Sequence, residues 1–433
     1  MKRSLPICLI IAEAVLSLLA GPVLADTEEQ AIKAAPTEVS LDMLIAQALQ
    51  QSPAIRAKKR AYEAARSRIV AAWLPDDPMI GVDVEGQSAL FRFDRTDNEY
   101  MVSQTLPFPT RLWLRGRLAA QEMQKAYQEY KEKEHDIIWH MEQPYYELLL
   151  AQKTLTALEE TQQLADRLAQ AVQARYESNT ATQQDLLKAK IESEKIEVER
   201  FSQKQKARVA QAHIAHLLDE PLSTAYTIAQ PPRGGLAVSL EILEQQALRN
   251  RPELKAMETG IRLAKTTRYL AQTRWLPEIT GRIEARQFSG EDNIREYDTF
   301  LGLSVPVWSL LKGISGEWKG AGKQVEEAQA SYAALKNEVL LAVHEAYAKI
   351  KTAEHAAVTY ETIILPQARQ QTEVALSSYE AGRTDLLALV DTQRMLREAQ
   401  IAYYGYAADY EMGLSDLRLA VGDSIANPKE SQP

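Results

Sequence analysis

The sequence predicts a mainly α chain with a small β part, built as a duplicated half-molecule from long antiparallel coiled-coil hairpins and four short strands. Three observations predict it. Landmarks of the first half return in the second, two very long stretches hold almost nothing that stops a helix, and four segments alternate apolar and polar residues.

The repeat comes first because it orders everything else. Ala48-Leu49 falls on Ala247-Leu248 and Pro53 on Pro252, an offset of 199. Trp73-Leu74-Pro75 returns 202 residues later as Trp275-Leu276-Pro277, and Tyr176-Glu177 returns 203 later as Tyr379-Glu380. A solenoid unit is only about 20–50 residues, so this period marks a doubled half rather than a repeat array. The halves fall at 40–238 and 239–423, between an extension over 26–39 and a tail over 424–433.

Residues 1–25 read as a secretory leader: Lys2 and Arg3, an apolar run, then Val23-Leu24-Ala25 as a small-residue cleavage pattern. Its removal takes Cys8, the one cysteine of the chain, and leaves no disulfide, thiolate or cysteine-ligated metal to expect.

Each half then runs in the same order. A short helix ends before proline (Pro53, Pro252), and a second helix stops at Leu-Pro (Pro75, Pro277). Segments over 79–87, 98–107, 278–287 and 297–306 follow with a period of two. Ile80, Val82 and Val84 alternate with Gly81, Asp83 and Glu85, and Leu301, Leu303 and Val305 with Gly302 and Ser304. Their length and single apolar face suit a membrane barrel strand, and suit an ordinary half-exposed sheet equally.

Helical hairpins are expected over 109–218 and 312–420. The first has a seam at Leu148, Ala151, Leu155, Leu158, Gln162, Ala165, Ala169, Val172 and Tyr176. The second reads Leu340, Val343, Tyr347, Ile350, Glu354, Ala357, Glu361, Ile364, Ala368, Gln371 and Ala375, both at coiled-coil spacing. Pro144 and Pro366 should bend or interrupt these helices. At the far ends Gly382 occupies a left-handed turn slot, with Asn179 as its counterpart.

Composition removes several function classes. The formal net charge is −9, and loss of the leader makes it slightly more acidic, so a nucleic-acid partner is not expected. No stretch after the leader has 18 or more apolar residues; any membrane crossing would use strands. There is no phosphate loop, nucleophile elbow or paired catalytic carboxylates, so neither an enzyme nor a bound cofactor is expected. His213 and His216 stand one turn apart, but no cysteine or carboxylate cluster completes a metal site; His135 and His140 do not share a face.

With the duplication, the Ala-Leu…Pro openings and the Tyr379-Glu-Ala-Gly-Arg383 turn in place, the chain resembles the TolC-type outer-membrane efflux proteins of Gram-negative bacteria over roughly 40–423. The resemblance implies a homotrimer whose twelve strands close one barrel in outer-membrane lipid and whose hairpins form a periplasmic tunnel. It implies an exit duct for an inner-membrane pump, joined by a periplasmic adaptor protein. The expected adaptor-contacting tips are Tyr176, Asn179 and Thr180 in the first hairpin and Tyr379, Gly382, Arg383, Thr384 and Asp385 in the second. The acidic ring inside the second tip falls on Asp391. Its repeat partner Lys188 makes a candidate latch, and Asp185, one turn earlier, is a further gate candidate; a charge on a solvated helix face is the alternative for each. Arg111, Arg115 and Arg117, with the aromatic residues Phe108 and Trp113, read as an anchor at the membrane interface. The segment from Gln104 to Pro109 is similar to heavy-metal efflux members, which leaves metal cations or drugs as substrate classes. A periplasmic coiled-coil adaptor or scaffold is the alternative reading. Adaptors usually carry one hairpin, however, and this sequence carries two.

Overall fold

The structure of the chain is a computed structural model that describes residues 38–85, 97–229, 236, 238–291, 293–381 and 383–422. The expected leader, the extension up to residue 37, the end of the first strand segment and the tail lie outside the described residues.

The first half begins with β1 (Glu38–Val39), α1 (Leu41–Gln51) and α2 (Pro53–Ala72). Ser40 caps α1 by accepting from the Met43 amide, and Pro53 opens α2 where its missing N–H costs nothing. Strands β2 (Met79–Glu85) and β3 (Asp97–Leu106) follow, then α3 (Pro109–Glu177) and α4 (Gln183–Leu218). The second half repeats this after β4 (Thr227–Ile228): α5 (Leu240–Asn250), α6 (Pro252–Gln272), β5 (Glu278–Gln287) and β6 (Glu296–Ser304). Its second hairpin is broken into α7 (Val307–Lys312), a π turn at Gly313–Glu317, α8 (Trp318–Thr359), a second π turn at Tyr360–Ile364, α9 (Leu365–Glu380) and α10 (Leu386–Val421).

Why the repeat kept its landmarks is visible in the core. Leu44 and Ala48 of α1 are buried against Met141, Tyr145, Leu148, Ile214 and Leu218. Leu243 and Ala247 of α5 are buried in the same way against Val339, Val343, Ile350, Leu417 and Val421. Each alanine lets a short helix lie close on a long hairpin. Both hairpins close with a left-handed residue, Asp219 at φ 59° after α4 and Gly422 at φ 74° after α10.

Three expectations are corrected. Helix α3 runs 69 residues, about 100 Å, and continues through Pro144 without a break. Pro144 is buried, and the single backbone bond it removes is too small a loss to break a helix packed along α2, α4, α6 and α10. The buried stripe of α8 is Val339, Val343, Ala346, Ile350 and Ala353, so Leu340, Tyr347 and Glu354 stand beside the seam rather than in it. Past it, the π turn before Pro366 takes up one extra residue and moves the stripe to Leu365 and Ala368, leaving Glu361 exposed. Strand β6 ends at Ser304, because Pro306 cannot donate to a ladder and instead stands before α7.

Glu132 of α3 is a stressed carboxyl. Burial, then the neighbouring Glu253 charge, hold the Glu132 carboxyl above the usual carboxylate range. The folded state therefore binds this proton more tightly than the unfolded chain. Ionised Glu132 costs stability at neutral pH, and that cost falls away as pH drops through the folded pKa. Glu132→Gln is expected to raise the melting temperature at pH 7, with the advantage shrinking on acidification; thermal unfolding across pH checks it.

Candidate functional site

Two regions carry the chemistry, a two-faced sheet at one end and the hairpin tips at the other. The four longer strands form one antiparallel sheet in the order β2-β3-β5-β6, joined at its centre by β3 and β5 from different halves. The register puts Ile80, Val102, Ile283 and Thr299 in one row, and Val82, Tyr100, Ala285 and Tyr297 in the next. Leu106, Ile279 and Leu303 extend this mainly apolar face, with Gln104, Gly281 and Leu301 in the row between. This chain leaves much of it uncovered: Ile80 and Leu301 are each 78% exposed, while Tyr100 and Ala285 are half-buried. The opposite face carries Asp83, Glu99, Arg286 and Glu296 in one row and Met101, Glu284 and Asp298 in another. Arg286 pairs with Glu99 at 3.5 Å, Arg282 pairs with Glu284, and Thr105 meets Thr280 at 3.1 Å. Only β3 and β5 are paired on both sides, so β2 and β6 present open edges.

At the sheet–helix junction the basic residues are largely spoken for. Arg111 is bonded to Glu278, Arg115 reaches Asp76 at 3.2 Å, and Arg117 lies 5.2 Å from the Trp113 ring centroid. Two of the three arginines expected at an interface also brace the junction.

The tips are built alike. In the first, the Thr180 amide donates to the Arg175 carbonyl at 2.8 Å, with Asn179 left-handed at φ 56°. In the second, the Arg383 amide donates to the Ser378 carbonyl at 2.9 Å, the same five-residue reach. Gly382 lies outside the described residues. Val172, Ala189 and Leu386 form a small core shared by both tips, with Tyr379 packed on it. The Arg175 guanidinium sits 4.8 Å from the Tyr379 ring centroid and so ties the first tip to the second. Tyr176, Asn179, Thr180, Arg383 and Asp385 are exposed and Thr384 is half-buried.

Both returning helices are capped by side chains. Asp185 and Thr182 form a reciprocal capping box at the start of α4, and Asp385 accepts from the Ala388 amide at 3.1 Å at the start of α10. The local bonding of Asp185 is thus explained by its helix. Thr182→Ala and Asp385→Ala are each expected to cost about 1 kcal/mol, and to speed amide hydrogen exchange in the first turns of α4 and α10.

Asp391 is exposed and Lys188 half-buried, and among the described residues no ion pair joins them. The charge contact between α4 and α10 is made elsewhere. Arg397, 5% exposed, reaches Glu192 at 3.1 Å and Glu199 at 3.5 Å. Sequence reasoning missed it because its repeat counterpart is Glu194, not Glu192. The available signal was register: Arg397 follows Val390 by seven residues, at a seam position otherwise apolar.

The histidines do not assemble a metal centre. His140, His213 and His216 line one groove of about 640 Å³, yet among the described residues no three His, Cys, Asp or Glu side chains converge to hold an ion. His140 lies 3.3 Å from Asp136 and His344 2.6 Å from Glu244.

The chain is similar to known proteins over most of its length. The family model for outer membrane efflux proteins matches residues 44–219 and 243–423, one match to each half. A relative, the cobalt-zinc-cadmium resistance protein CzcC of Cupriavidus metallidurans, is 23% identical over 272 residues, which is 62% of this chain. That match spans 64% of the length of CzcC. Among solved structures, the outer-membrane channel OprN aligns with a TM-score of 0.75 at 18% identity, covering 89% of this chain and 90% of that one. CusC aligns at 0.77 and 14%, covering 90% and 93%. VceC from Vibrio cholerae aligns at 0.76 and 16%, covering 89% and 97%.

Proposed function

The chain belongs to the outer membrane efflux protein family, and from that premise we propose that it is the outer-membrane exit duct of a tripartite efflux system. It conducts passively, drawing substrate from an inner-membrane pump through a periplasmic adaptor. The observation that carries this reading is the sheet, apolar on one face, charged on the other and open at both edges. Four strands cannot close a barrel, and an open edge in lipid would leave backbone groups unpaired at several kcal/mol each. Three copies close twelve strands, with β6 of one chain against β2 of the next. The apolar face then meets outer-membrane lipid and the charged face lines the lumen. Along the tunnel, Leu187, Ile191, Val198 and Phe201 form an exposed stripe on α4 suited to a neighbouring hairpin.

The tips contact the adaptor through Tyr176, Asn179, Thr180, Arg383, Thr384 and Asp385. The free position of Asp391, with no partner to neutralise it within the described chain, supports a ring of three carboxylates at the axis. Lys188 then serves as a latch only across chains, and Asp185 as a structural cap beside it. Asp391→Ala is expected to weaken block by divalent cations and to shift selectivity away from cations in planar bilayers. Unchanged block and reversal potential remove Asp391 from the gate.

Heavy-metal cations are the proposed substrate class. The Gln104–Pro109 segment and the likeness to a cobalt-zinc-cadmium resistance protein support it, as does the excess of carboxylates over arginines on the polar sheet face. Loss of the gene is expected to sensitise cells to cobalt, zinc or cadmium. Sensitivity to drugs alone would reassign the substrate. Heat-modifiable migration and detergent-dependent extraction from outer-membrane fractions test the duct itself; a water-soluble monomer would overturn it.

A further inference from the structure

Near its tip, helix α10 has one uncovered side. Leu386 and Leu389 are buried, Leu386 in the core shared by both tips, and Arg397 is held by Glu192 of α4. Leu387, Asp391, Arg394, Met395 and Glu398 are all exposed. At about 100° per residue these five fall within an arc of roughly 100°. Asp391 lies inside that arc, with Leu387 one turn before it and Met395 one turn after.

The chemistry of the arc narrows to two groups. Arg394 and Glu398 pair with each other at 3.3 Å, and Leu387 has no lone pair to offer. The Asp391 carboxylate and the Met395 thioether are what remain to meet a cation. Met395 is 49% exposed. It is also alone of its kind in this part of the chain: the sequence has no methionine over 142–256 and no other over 258–411. Met412, further along α10, is packed on the core around α1. A neighbouring copy laid over the arc would bury Asp391 along with Met395, although no ion pair answers that carboxylate among the described residues.

We propose that Met395 is a specificity-determining residue of the pore, a thioether ring that, with Asp391, holds soft, sulfur-preferring cations. The inference rests on the reading that Asp391 stands at the trimer axis. Four residues of helix rise about 6 Å, so three thioethers would stand one turn from three carboxylates. Carboxylate oxygens attract cations by charge and suit hard ones such as Mg²⁺. A neutral, polarisable thioether adds little for a hard cation and favours a soft one such as Cu(I) or Ag(I). The acidic ring gives preference for cations over anions, and the thioether ring gives preference among cations.

Block of single channels in planar bilayers tests it, with the assembled full chain in potassium nitrate and either Ag⁺ or Mg²⁺ as the probe. Ag⁺ is expected to block the wild type. Met395→Leu, which keeps the side-chain volume, is expected to raise the half-blocking Ag⁺ concentration at least tenfold and to leave Mg²⁺ block unchanged. Met395→Cys, which restores a sulfur, is expected to keep Ag⁺ block. A wild type indifferent to Ag⁺ overturns the site. So does Ag⁺ block lost in Met101→Leu but kept in Met395→Leu, which would place the sulfur ligand in the sheet. If Met395→Leu changes nothing while Asp391→Ala weakens Mg²⁺ block, the thioether ring is wrong and the acidic ring stands. If neither variant alters block by either cation, both rings are removed.

Discussion

A chain carrying Leu301→Arg is expected not to assemble in lipid, while Met101→Arg assembles normally. Both positions lie within the four-stranded sheet, in β6 and β3, and both are mid-strand. They differ in face. Leu301 belongs to the apolar row and is 78% exposed in the single chain, whereas Met101 stands opposite Glu284 on the polar face. An arginine on the lipid side of a barrel costs about 2–4 kcal/mol at the bilayer midplane. Three copies would put roughly 6–12 kcal/mol on one assembly, comparable with the whole stability of a typical domain. At Met101 the same side chain meets water and a carboxylate. Folding into vesicles, followed by heat-modifiable migration, separates the two. Equal assembly of both variants would mean that the apolar face does not meet lipid.

The parts of the fold that were legible in the sequence are those where one physical demand acts on neighbouring residues. Alternation from Ile279 to Ala285 could be read because every second side chain faces the same surroundings. Pro53 and Pro252 marked a helix boundary, and they open α2 and α6 because the missing donor is tolerated at a helix start. What could not be read depends on distant partners. The pairing of β3 with β5 joins residues more than 170 positions apart, and nothing local in Val102 names Ile283 as its neighbour. The two-residue strands β1 and β4 are too short to show a period. The α8 seam was misjudged by one position at Leu340, Tyr347 and Glu354, since 3–4 spacing fits two adjacent stripes when alanines are this frequent. Beyond Thr359 no constant period could have worked, because the π turn at Tyr360–Ile364 resets it.

The tip region shows the same division. Thr182-Gln-Gln-Asp185 is a capping-box pattern and its role follows from four consecutive residues. Arg397 is different: its meaning lies in Glu192, on another hairpin 205 residues away. Its loss should weaken the contact between the two hairpins. Its side chain is 5% exposed and that of Glu192 15%, so water screens this pair poorly, while Glu199 at 45% adds less. Removing one partner strands the other. Arg397→Ala leaves the Glu192 carboxylate with no counter-charge, at a cost of about 3 kcal/mol, the low end for a broken buried pair. Replacing both, as Arg397→Met with Glu192→Met, removes the charge and the need for it, and should recover most of that loss. The double-mutant cycle by thermal unfolding is therefore expected to be strongly non-additive. Function gives an independent readout. Since Arg397 and Glu192 join α10 to α4, the single variant should let the two hairpins of a chain separate and raise the resting conductance in bilayers, with the Met pair returning it toward wild type. If Arg397→Ala leaves both stability and resting conductance unchanged, the hairpins are held together by apolar packing alone, and the ion pair is incidental to the tunnel.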